Sequence, residues 1–576
     1  MRIRRPLALL VLTAGLIVLA GELTVTAQDA KIDKKAKRKA LLEAKAAKAA
    51  EAAKPPEVAK PADVARPAAP ARSAAALTQQ IDSQIARKLA EEKVTPSPVC
   101  TDAEFLRRAY LDLTGAIPTA DRARAFLDST DPDKRAKLID ELLASPDYGR
   151  HQADVWFGLM IQRTSDNRRV DFTPTREWLA REFNKNRPWE EMATAILTAT
   201  GPISENGEVG FFLSNNTVDK MTDACGKLFM GQQIQCAQCH NHPFSTTKQT
   251  EYWGMAQFFF KTEVGNIKAK VGEPSVHETP NPKRGKINPL PESAKTLPAK
   301  FLGGPEPTIA RAEPARPVLA KWLTAADNPY FARAMVNRTW AQLFGRGFVN
   351  PIDDMSPENA CSHPELLELM AKDFSAPAAQ PGVRSTGGAG SRPEAFDLKY
   401  LVRGICNSRA YQRSSKATAA NKDDRELFSH MTVKVMTPEQ LFDSLAKVTG
   451  SSRGDPGIRN PKGVFQPGAR DRFVTFFLAG ADAANQTEYE AGIPQALKLM
   501  NSPVTGNPAV VRGIAPPGTA PAEAVERIYL TALSRRPTAS ETKMLTEYLG
   551  KNGTTPAAYG DVLWAVLNSS EFTLVR

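Results

Sequence analysis

The chain has 576 residues, of which 42% are hydrophobic and 24% are charged. This composition predicts a globular protein of several domains and excludes a fibrous chain. The formal net charge is +12, but residues 1–76 contain 15 Lys and Arg against 7 Asp and Glu, so the rest of the chain is nearly balanced and we expect no nucleic-acid partner.

Residues 1–27 have the pattern of a secretory signal peptide. A basic start precedes an apolar run from Pro6 to Ala20, and small residues end the segment at Val25 to Ala27. The run is shorter than the roughly 20 apolar residues that a membrane-spanning helix needs. We therefore predict cleavage, which makes the protein periplasmic or secreted. Retention as an N-terminal membrane anchor that faces the periplasm is the alternative.

Residues 28–76 are rich in Ala, Lys and Pro, and this composition predicts a disordered tether. Five prolines from Pro55 to Pro70 prevent a continuous helix in its second half. Because the tether is basic, contact with an anionic membrane surface is a further expectation.

Amphipathic helices follow from Leu77 onward, and strand-like alternation is nearly absent. Residues Thr101 to Glu104 have the pattern of a capping box before the second of these helices. Residues 77–261 are therefore predicted to form an all-α domain. Its further helices are predicted near 120–127, 133–144, 147–162, 174–182, 188–198 and 217–235.

Residues 262–315 are rich in Pro and Gly and predict a loop-rich connector with short β-hairpins. A second helical domain is expected over residues 316–576, with loop insertions near 376–393 and 450–470. The predicted fold class is therefore mainly α, with two helical domains joined by the connector.

Pro329 opens the helix with the strongest signal in this second domain, because a proline in the first turn lacks only an N–H that the helix does not use. A glycine at position 345 or 347 ends the helix. Its buried side is predicted to include Phe331, Met335, Thr339 and Leu343.

One short motif carries most of the chemical information, Cys236-Ala237-Gln238-Cys239-His240. A Cys-x-x-Cys-His sequence is typical of covalent attachment of a c-type haem. The two thiols bond to the two vinyl groups of the haem, and the imidazole that follows the second thiol ligates the iron from the same side. We therefore predict that Cys236, Cys239 and His240 bind one haem c, with His240 as the ligand of the haem iron.

Two other interpretations of this segment stay open. Cys236, Cys239 and His242 also form a Cys-x-x-Cys-x-x-His pattern, which together with His240 or a distant residue completes a tetrahedral zinc site. A disulfide between Cys236 and Cys239 is the third interpretation, because an exported protein meets an oxidising compartment. A thioredoxin-like role is disfavoured, since no βαβ pattern surrounds the motif.

Outside the motif the sequence indicates few functional residues. Catalytic residues are not predicted, because Gly-x-Ser-x-Gly, His-Glu-x-x-His and a phosphate-binding glycine loop are all lacking. The charged pairs Arg107–Arg108 and Asp353–Asp354 are expected at helix ends or at the surface. A distal iron ligand is not evident, and an iron with five ligands is the alternative. The candidates for that ligand are Met221, Met230, Met255 and His151.

Several longer stretches resemble a known family. Three stretches lie in the first predicted domain: LRRAYLDLTGAIP at 106–118, LASPDYG at 143–149 and IQCAQCHNHPF at 234–244. They resemble the cytochrome-type domain of unknown function that is abundant in planctomycetes. Four more stretches, DNPYFARAMVNR at 327–338, HPELL at 363–367, SRAY at 408–411 and PQAL at 494–497, resemble the planctomycete-specific domain that follows it in the same proteins. The chain differs from the family after Phe244, where Ser245, Thr246 and Thr247 replace an Asp and often a Trp.

This resemblance implies a secreted two-domain planctomycete protein in which Cys236, Cys239 and His240 form the named motif, with no established reaction. Together with the motif, it predicts an exported protein whose single c-type haem serves electron transfer or redox sensing with a redox or envelope protein partner. The alternative is a non-redox envelope binding or scaffold protein whose Cys and His cluster holds zinc or a disulfide. Whether the chain is an enzyme stays open.

Overall fold

The computed structural model of the chain describes residues 72–161, 170–243, 245–265, 273–279, 294, 296–376, 394–451, 458–459, 465–478, 497–498, 500–501 and 508–576. The predicted signal peptide and the predicted tether up to residue 71 lie outside these residues. So do 377–393 of the insertion predicted near 376–393, and 452–457 and 460–464 of the insertion predicted near 450–470. From residue 72 onward the described parts belong to one compact unit.

The described chain is mainly α-helical, as predicted. Several of its helices are N-capped by a side chain. The hydroxyls of Ser73, Thr101, Thr119 and Ser145 each accept a hydrogen bond from an N–H of the first helical turn. In chain order the first helices are α1 (Ala74–Glu91), α2 (Asp102–Thr114), α3 (Ala120–Asp128), α4 (Lys134–Ala144), α5 (Pro146–Met160), α6 (Thr173–Asn184), α7 (Trp189–Thr198), α8 (Gly210–Ser214), α9 (Val218–Cys225) and α10 (Gln249–Ala256).

Two of the helices after the connector end at a glycine. Gly345 and Gly450 adopt the left-handed backbone conformation that glycine favours at a helix C-terminus. In chain order these helices are α11 (Arg316–Leu323), α12 (Phe331–Phe344), α13 (Pro364–Ser375), α14 (Leu398–Cys406), α15 (Pro438–Thr449), α16 (Ala469–Phe477), α17 (Pro508–Ile514), α18 (Pro521–Leu533), α19 (Ala539–Asn552), α20 (Pro556–Leu567) and α21 (Ser570–Thr573). No helix among the described residues has both the length and the apolar character that crossing a membrane requires.

Short antiparallel strands complete the described structure. A three-stranded sheet has the order β1-β3-β2, with Gly201 paired to Val276 and Thr262 paired to Glu278. Its β2–β3 pair confirms a short hairpin within the connector. The strands are β1 (Gly201–Pro202), β2 (Thr262–Gly265), β3 (Ser275–Glu278), β4 (Lys434–Val435), β5 (Ile458–Arg459), β6 (Phe465–Gln466) and β7 (Leu574–Val575), where β4 pairs with β7 and β5 with β6.

The main hydrophobic core draws on helices from both predicted helical domains. Trp189 of α7 stacks on Phe331 of α12 with ring centroids 6.1 Å apart, and Trp156 of α5 lies 4.4 Å from Trp189. Helix α12 is buried along most of its length, and the predicted core residues Phe331, Met335, Thr339 and Leu343 are all buried. The domain boundaries at residues 261 and 316 stay predictions.

A second hydrophobic cluster is built by helices α15 to α21 and takes in Leu111 from α2. A buried ion pair network ties this cluster to the main core. The Arg470 guanidinium of α16 donates to Asp154 of α5 at 2.6 Å and to Asp443 of α15 at 2.9 Å. Because both carboxylates are buried, this one arginine compensates two charges that would otherwise be costly.

The expectation of surface positions for Arg107 and Arg108 is wrong. Arg108 is 0% exposed, and its guanidinium donates to the carbonyls of Arg576 at 2.7 Å and Tyr411 at 2.6 Å. Arg107 donates to the carbonyl of Phe572 at 2.6 Å. Burial of both arginines is compensated because backbone carbonyls accept their N–H groups. Asp353 is buried as well.

The end of the predicted tether also needs correction. Helix α1 begins at Ala74, before the predicted boundary at residue 76, because the Ser73 hydroxyl accepts a hydrogen bond from the N–H of Ala76. Arg72 is anchored as well, since its guanidinium donates to the carbonyl of Ala376 at 2.6 Å and lies 3.5 Å from the Asp373 carboxylate. The described structure therefore includes the last residues of the predicted segment 28–76.

Candidate functional site

The chain reaches the Cys-x-x-Cys-His motif through a change of helix type. The predicted helix over 217–235 is wrong beyond residue 230, because α9 passes into a π-helical segment, Gly226–Met230, that ends at Gly231. Gly231 has a φ of +62°, and a Cβ there would lie 3.0 Å from the Met355 Sδ. The glycine thus permits both the left-handed turn and the close approach of the neighbouring segment.

The motif itself forms a 3-10 turn, Gln235–Gln238, that three contacts fix to the protein. Ala237 is buried and forms its apolar anchor. The Trp253 Nε1–H donates to the carbonyl of Gln238 at 3.0 Å, and the Gln249 amide donates to the carbonyl of Cys239 at 2.9 Å. Helix α10, which carries both side chains, therefore determines the shape of the turn.

The two thiols of the motif are exposed and free. Side chains three residues apart in a 3-10 helix lie one above the other. Cys236 stands within the 3-10 turn and Cys239 directly follows it with a helical backbone, so the backbone places the two residues on the same side of the turn. Two thiols in this arrangement are available to the two reactive carbons of one planar ligand.

His240 is exposed, and its ring has a defined hydrogen-bond partner. The Nδ1 atom lies 2.7 Å from the carbonyl oxygen of Asn241, so Nδ1 carries the proton and donates it to that oxygen. The lone pair of the neutral ring is then on Nε2. A backbone carbonyl that fixes the tautomer in this way is the usual support of a metal-ligating histidine.

His242 has a different environment. It is half-buried, and its backbone N–H donates to the carbonyl of Thr247 at 2.9 Å. Among the described residues, no three His, Cys, Asp or Glu side chains are grouped closely enough to hold a metal ion. The structure therefore does not bring Cys236, Cys239, His240 and His242 together as a zinc site.

The residues of the turn fit a covalently attached haem. Two exposed thiols and an exposed imidazole with its Nε2 lone pair supply the attachment points and one iron ligand. The four candidates for the distal ligand are all buried in the core, so they do not lie on the exposed side of the turn. They are Met221, Met230, Met255 and His151.

Two polar residues behind the turn were missed by sequence reasoning. Asp223 lies on α9 and Tyr252 on α10, and the Tyr252 side chain is fully buried beside Trp253. Burial raises the pKa of the Asp223 carboxyl to about 7, and the Tyr252 hydroxyl lies close enough to oppose this increase. Neither residue belongs to a recognisable motif, and only the packing of α9 against α10 brings them together.

Two family models match most of the chain after residue 76. PSCyt2, described as a protein of unknown function (DUF1549), matches residues 80–264. PSD1, described as a protein of unknown function (DUF1553), matches residues 315–549. None of the curated proteins matches the chain, and no solved structure does. The predicted two-domain order is confirmed by the order of the two matches.

Proposed function

Because the chain belongs to the DUF1549 family in its N-terminal part and to the DUF1553 family in its C-terminal part, we propose a function from the geometry of its Cys-x-x-Cys-His turn. The protein is an exported redox protein that carries one c-type haem, bonded to Cys236 and Cys239 and ligated by His240. Its role is electron transfer or redox sensing at the cell envelope.

One observation carries this proposal, the exposed turn in which both thiols and the His240 ring are accessible. Structural cysteines are normally buried, as Cys225 and Cys406 are in this chain. An exposed thiol pair three residues apart, followed by an imidazole with a fixed tautomer, has the donor groups that haem attachment needs.

Each residue of the turn has a defined task in this function. Each thiol would add across one vinyl group, with a sulfur–carbon bond on one carbon and the thiol hydrogen on the other. His240 would offer Nε2 to the iron while its Nδ1–H stays bonded to the Asn241 carbonyl. Trp253 and Gln249 hold the turn in place. The bound group supplies reversible one-electron chemistry.

Export fits this role because c-type attachment takes place outside the cytoplasm, and the N-terminal sequence predicts a signal peptide. An exposed centre suits exchange of electrons with a second protein, so a redox or envelope protein is the expected partner. The basic segment before residue 72 supports contact with an anionic envelope surface.

The test is production of the full chain in a periplasm with an active c-type maturation system. Thioether-bound haem survives denaturation, so we expect a peroxidase-positive band on a denaturing gel and sharp visible bands on reduction. Changing Cys236 and Cys239 to Ala should abolish attachment, and His240→Ala should remove the iron ligand. Cys361→Ala, at a half-buried thiol outside the turn, is the matched control and should keep the haem.

His242→Ala separates haem from zinc in the same preparation. We expect the variant to keep full attachment, because His242 is not needed to bond or ligate the haem. A colourless parent chain with about one zinc per molecule, lost on His242→Ala, would overturn the haem proposal. A colourless chain with Cys236 bonded to Cys239 would overturn it in favour of a disulfide.

A further inference from the structure

The peptide unit between Asn241 and His242 is fixed at both of its polar ends. Its carbonyl oxygen accepts from the His240 Nδ1–H at 2.7 Å, and its N–H donates to the carbonyl of Thr247 at 2.9 Å. A peptide unit is planar, so a bond made by its N–H also sets the direction of its carbonyl. The orientation of the His240 ring therefore depends on how the chain after the motif is held.

The side chain of Asn241 attaches the same peptide unit to helix α10. Its Oδ1 accepts from the backbone N–H of Gln249 at 3.0 Å. Gln249 is the first residue of α10, and the N–H groups of a first helical turn have no acceptor within their own helix. Asn241 supplies that acceptor from eight residues earlier in the chain, and α10 in return holds the residue whose carbonyl accepts from His240.

Gln249 also holds the chain on the other side of the histidine. Its side-chain amide donates to the carbonyl of Cys239 at 2.9 Å, while its backbone N–H is bonded to Asn241. One residue at the start of α10 therefore contacts the residue before His240 and the residue after it. Because His240 and Asn241 are both exposed, these hydrogen bonds, and not packing in a core, orient the imidazole.

We propose that Asn241 is a positioning residue for His240. Its side chain holds the 241–242 peptide against α10, which keeps the proton of the His240 ring on Nδ1 and leaves the lone pair of Nε2 available to iron. This inference rests on the proposed function, in which His240 is the iron ligand. A hydrogen bond from the far ring nitrogen fixes a ligating ring and raises its basicity. A more basic imidazole favours oxidised iron, so Asn241 lowers the midpoint potential of the centre.

The first measurement uses the full chain without haem. Nitrogen-15 NMR at alkaline pH, where imidazole rings are neutral, reports which nitrogen of the His240 ring carries the proton. We expect the proton mainly on Nδ1 in the parent chain and a smaller Nδ1–H fraction in Asn241→Ala, because the hydrogen bond sets the tautomer. Asn241→Asp keeps an acceptor for the Gln249 N–H and should restore the parent fraction. Thr246→Ala, exposed in the same loop, is the matched control and should leave it unchanged.

Gln249→Pro tests the backbone N–H in the same assay. Proline is tolerated as the first residue of a helix, and the extended backbone of Lys248 suits a proline that follows it. Gln249→Ala removes the side-chain amide but keeps the N–H, so the difference between the two variants measures the bond to Asn241. We expect a smaller Nδ1–H fraction in Gln249→Pro than in Gln249→Ala.

The second measurement is the midpoint potential of the haem-loaded chain. We expect Asn241→Ala to raise the potential and Thr246→Ala to keep the parent value. The haem-loaded fraction of Asn241→Ala should equal that of the parent, because both thiols of the motif are still present. Its melting temperature should also stay the same, since the Asn241 side chain is exposed.

The two measurements separate this inference from the proposed function. Equal Nδ1–H fractions in the parent and Asn241→Ala, or equal midpoint potentials of the two loaded chains, overturn the inference alone. So does a lower melting temperature of Asn241→Ala with an unchanged tautomer, which would show a structural role only. A parent chain that binds no haem overturns the proposed function, whereas the NMR measurement on the haem-free chain still decides whether Asn241 positions the His240 ring.

Discussion

The indole Nε1–H of Trp253 donates to the carbonyl of Gln238 at 3.0 Å, and this bond joins helix α10 to the middle of the Cys-x-x-Cys-His turn. Fourteen residues of intervening chain separate the two, so the turn is held by tertiary packing and not only by its own sequence. The accessibility of the two thiols therefore depends on α10.

The first prediction changes this contact. Trp253→Phe keeps an aromatic ring but removes the N–H donor. Loss of this hydrogen bond should destabilise the attachment of the turn to α10 by about 1 kcal/mol and make the turn more mobile. We expect faster alkylation of Cys236 and Cys239 in chains without haem and a lower haem-loaded fraction after maturation. Trp322→Phe, at a ring that stacks on Phe301, is the control. Equal alkylation rates in both variants would contradict a holding role for Trp253.

Helix positions were predictable wherever local signals agreed. The stripe from Leu77 and the pattern at Thr101 predicted α1 and α2 well, because capping and periodicity act within one turn. The burial of Arg108 was not predictable, since its carbonyl partners at Tyr411 and Arg576 lie hundreds of residues away. Local sequence contains no record of such contacts.

The candidate site was predictable only in part. Cys236, Cys239 and His240 stand in a motif whose spacing is itself the signal. The break of the helix at Gly231 overrode a favourable apolar pattern, and a left-handed glycine close to Met355 is visible only in three dimensions. Asp223 and Tyr252 were missed because they are 29 residues apart and share no motif.

The second prediction concerns helix α12. Met335 is 6% exposed in the main core, so Met335→Asp buries a charge without a partner and should cost several kcal/mol of unfolding free energy. The measurement is the midpoint of urea unfolding. Arg333→Ala lies on the exposed side of the same helix and should change the midpoint little. Similar midpoints for both variants would show that the face assignment is wrong.

The third prediction tests the arginine that holds the last strand. Arg108→Met keeps much of the side-chain volume but leaves the carbonyls of Tyr411 and Arg576 without their donor. Because buried unsatisfied groups are costly, we expect a loss of about 3 kcal/mol or more. Arg124→Ala, at a partly exposed residue 3.9 Å from Glu526, is the control. The measurement is the melting temperature. Equal melting temperatures for the two variants would show that the contacts of Arg108 with the C-terminal strand contribute little to stability.

The fourth prediction concerns the predicted tether. Removal of residues 28–71 should leave the melting temperature unchanged, because that composition supports no packed core. Removal of residues 28–76 should lower it, since Arg72 and the Ser73 cap are lost. Arg72→Ala alone should cost about 1 kcal/mol. A lower melting temperature after the shorter deletion would show that residues 28–71 stabilise the fold.

The fifth prediction examines Asp223 without any haem. Its pKa in the folded chain is raised from 3.8 to about 7, so the folded chain binds this proton more tightly than the unfolded chain does. The stabilisation from protonation is therefore complete below pH 4, is lost as the pH rises towards 7, and changes no further above that. Asp223→Asn removes this loss, so the variant should gain at most about 4 kcal/mol relative to the parent between pH 4 and pH 8.

Urea unfolding of the parent, Asp223→Asn and Asp219→Asn across this pH range measures the effect. The difference between Asp223→Asn and the parent should grow with pH and then level off near neutral pH. Asp219→Asn only removes a charge that raises the pKa of Asp223, so its effect should have the same sign and be smaller. Parallel curves for all three chains would mean that the Asp223 carboxylate is compensated in the folded state.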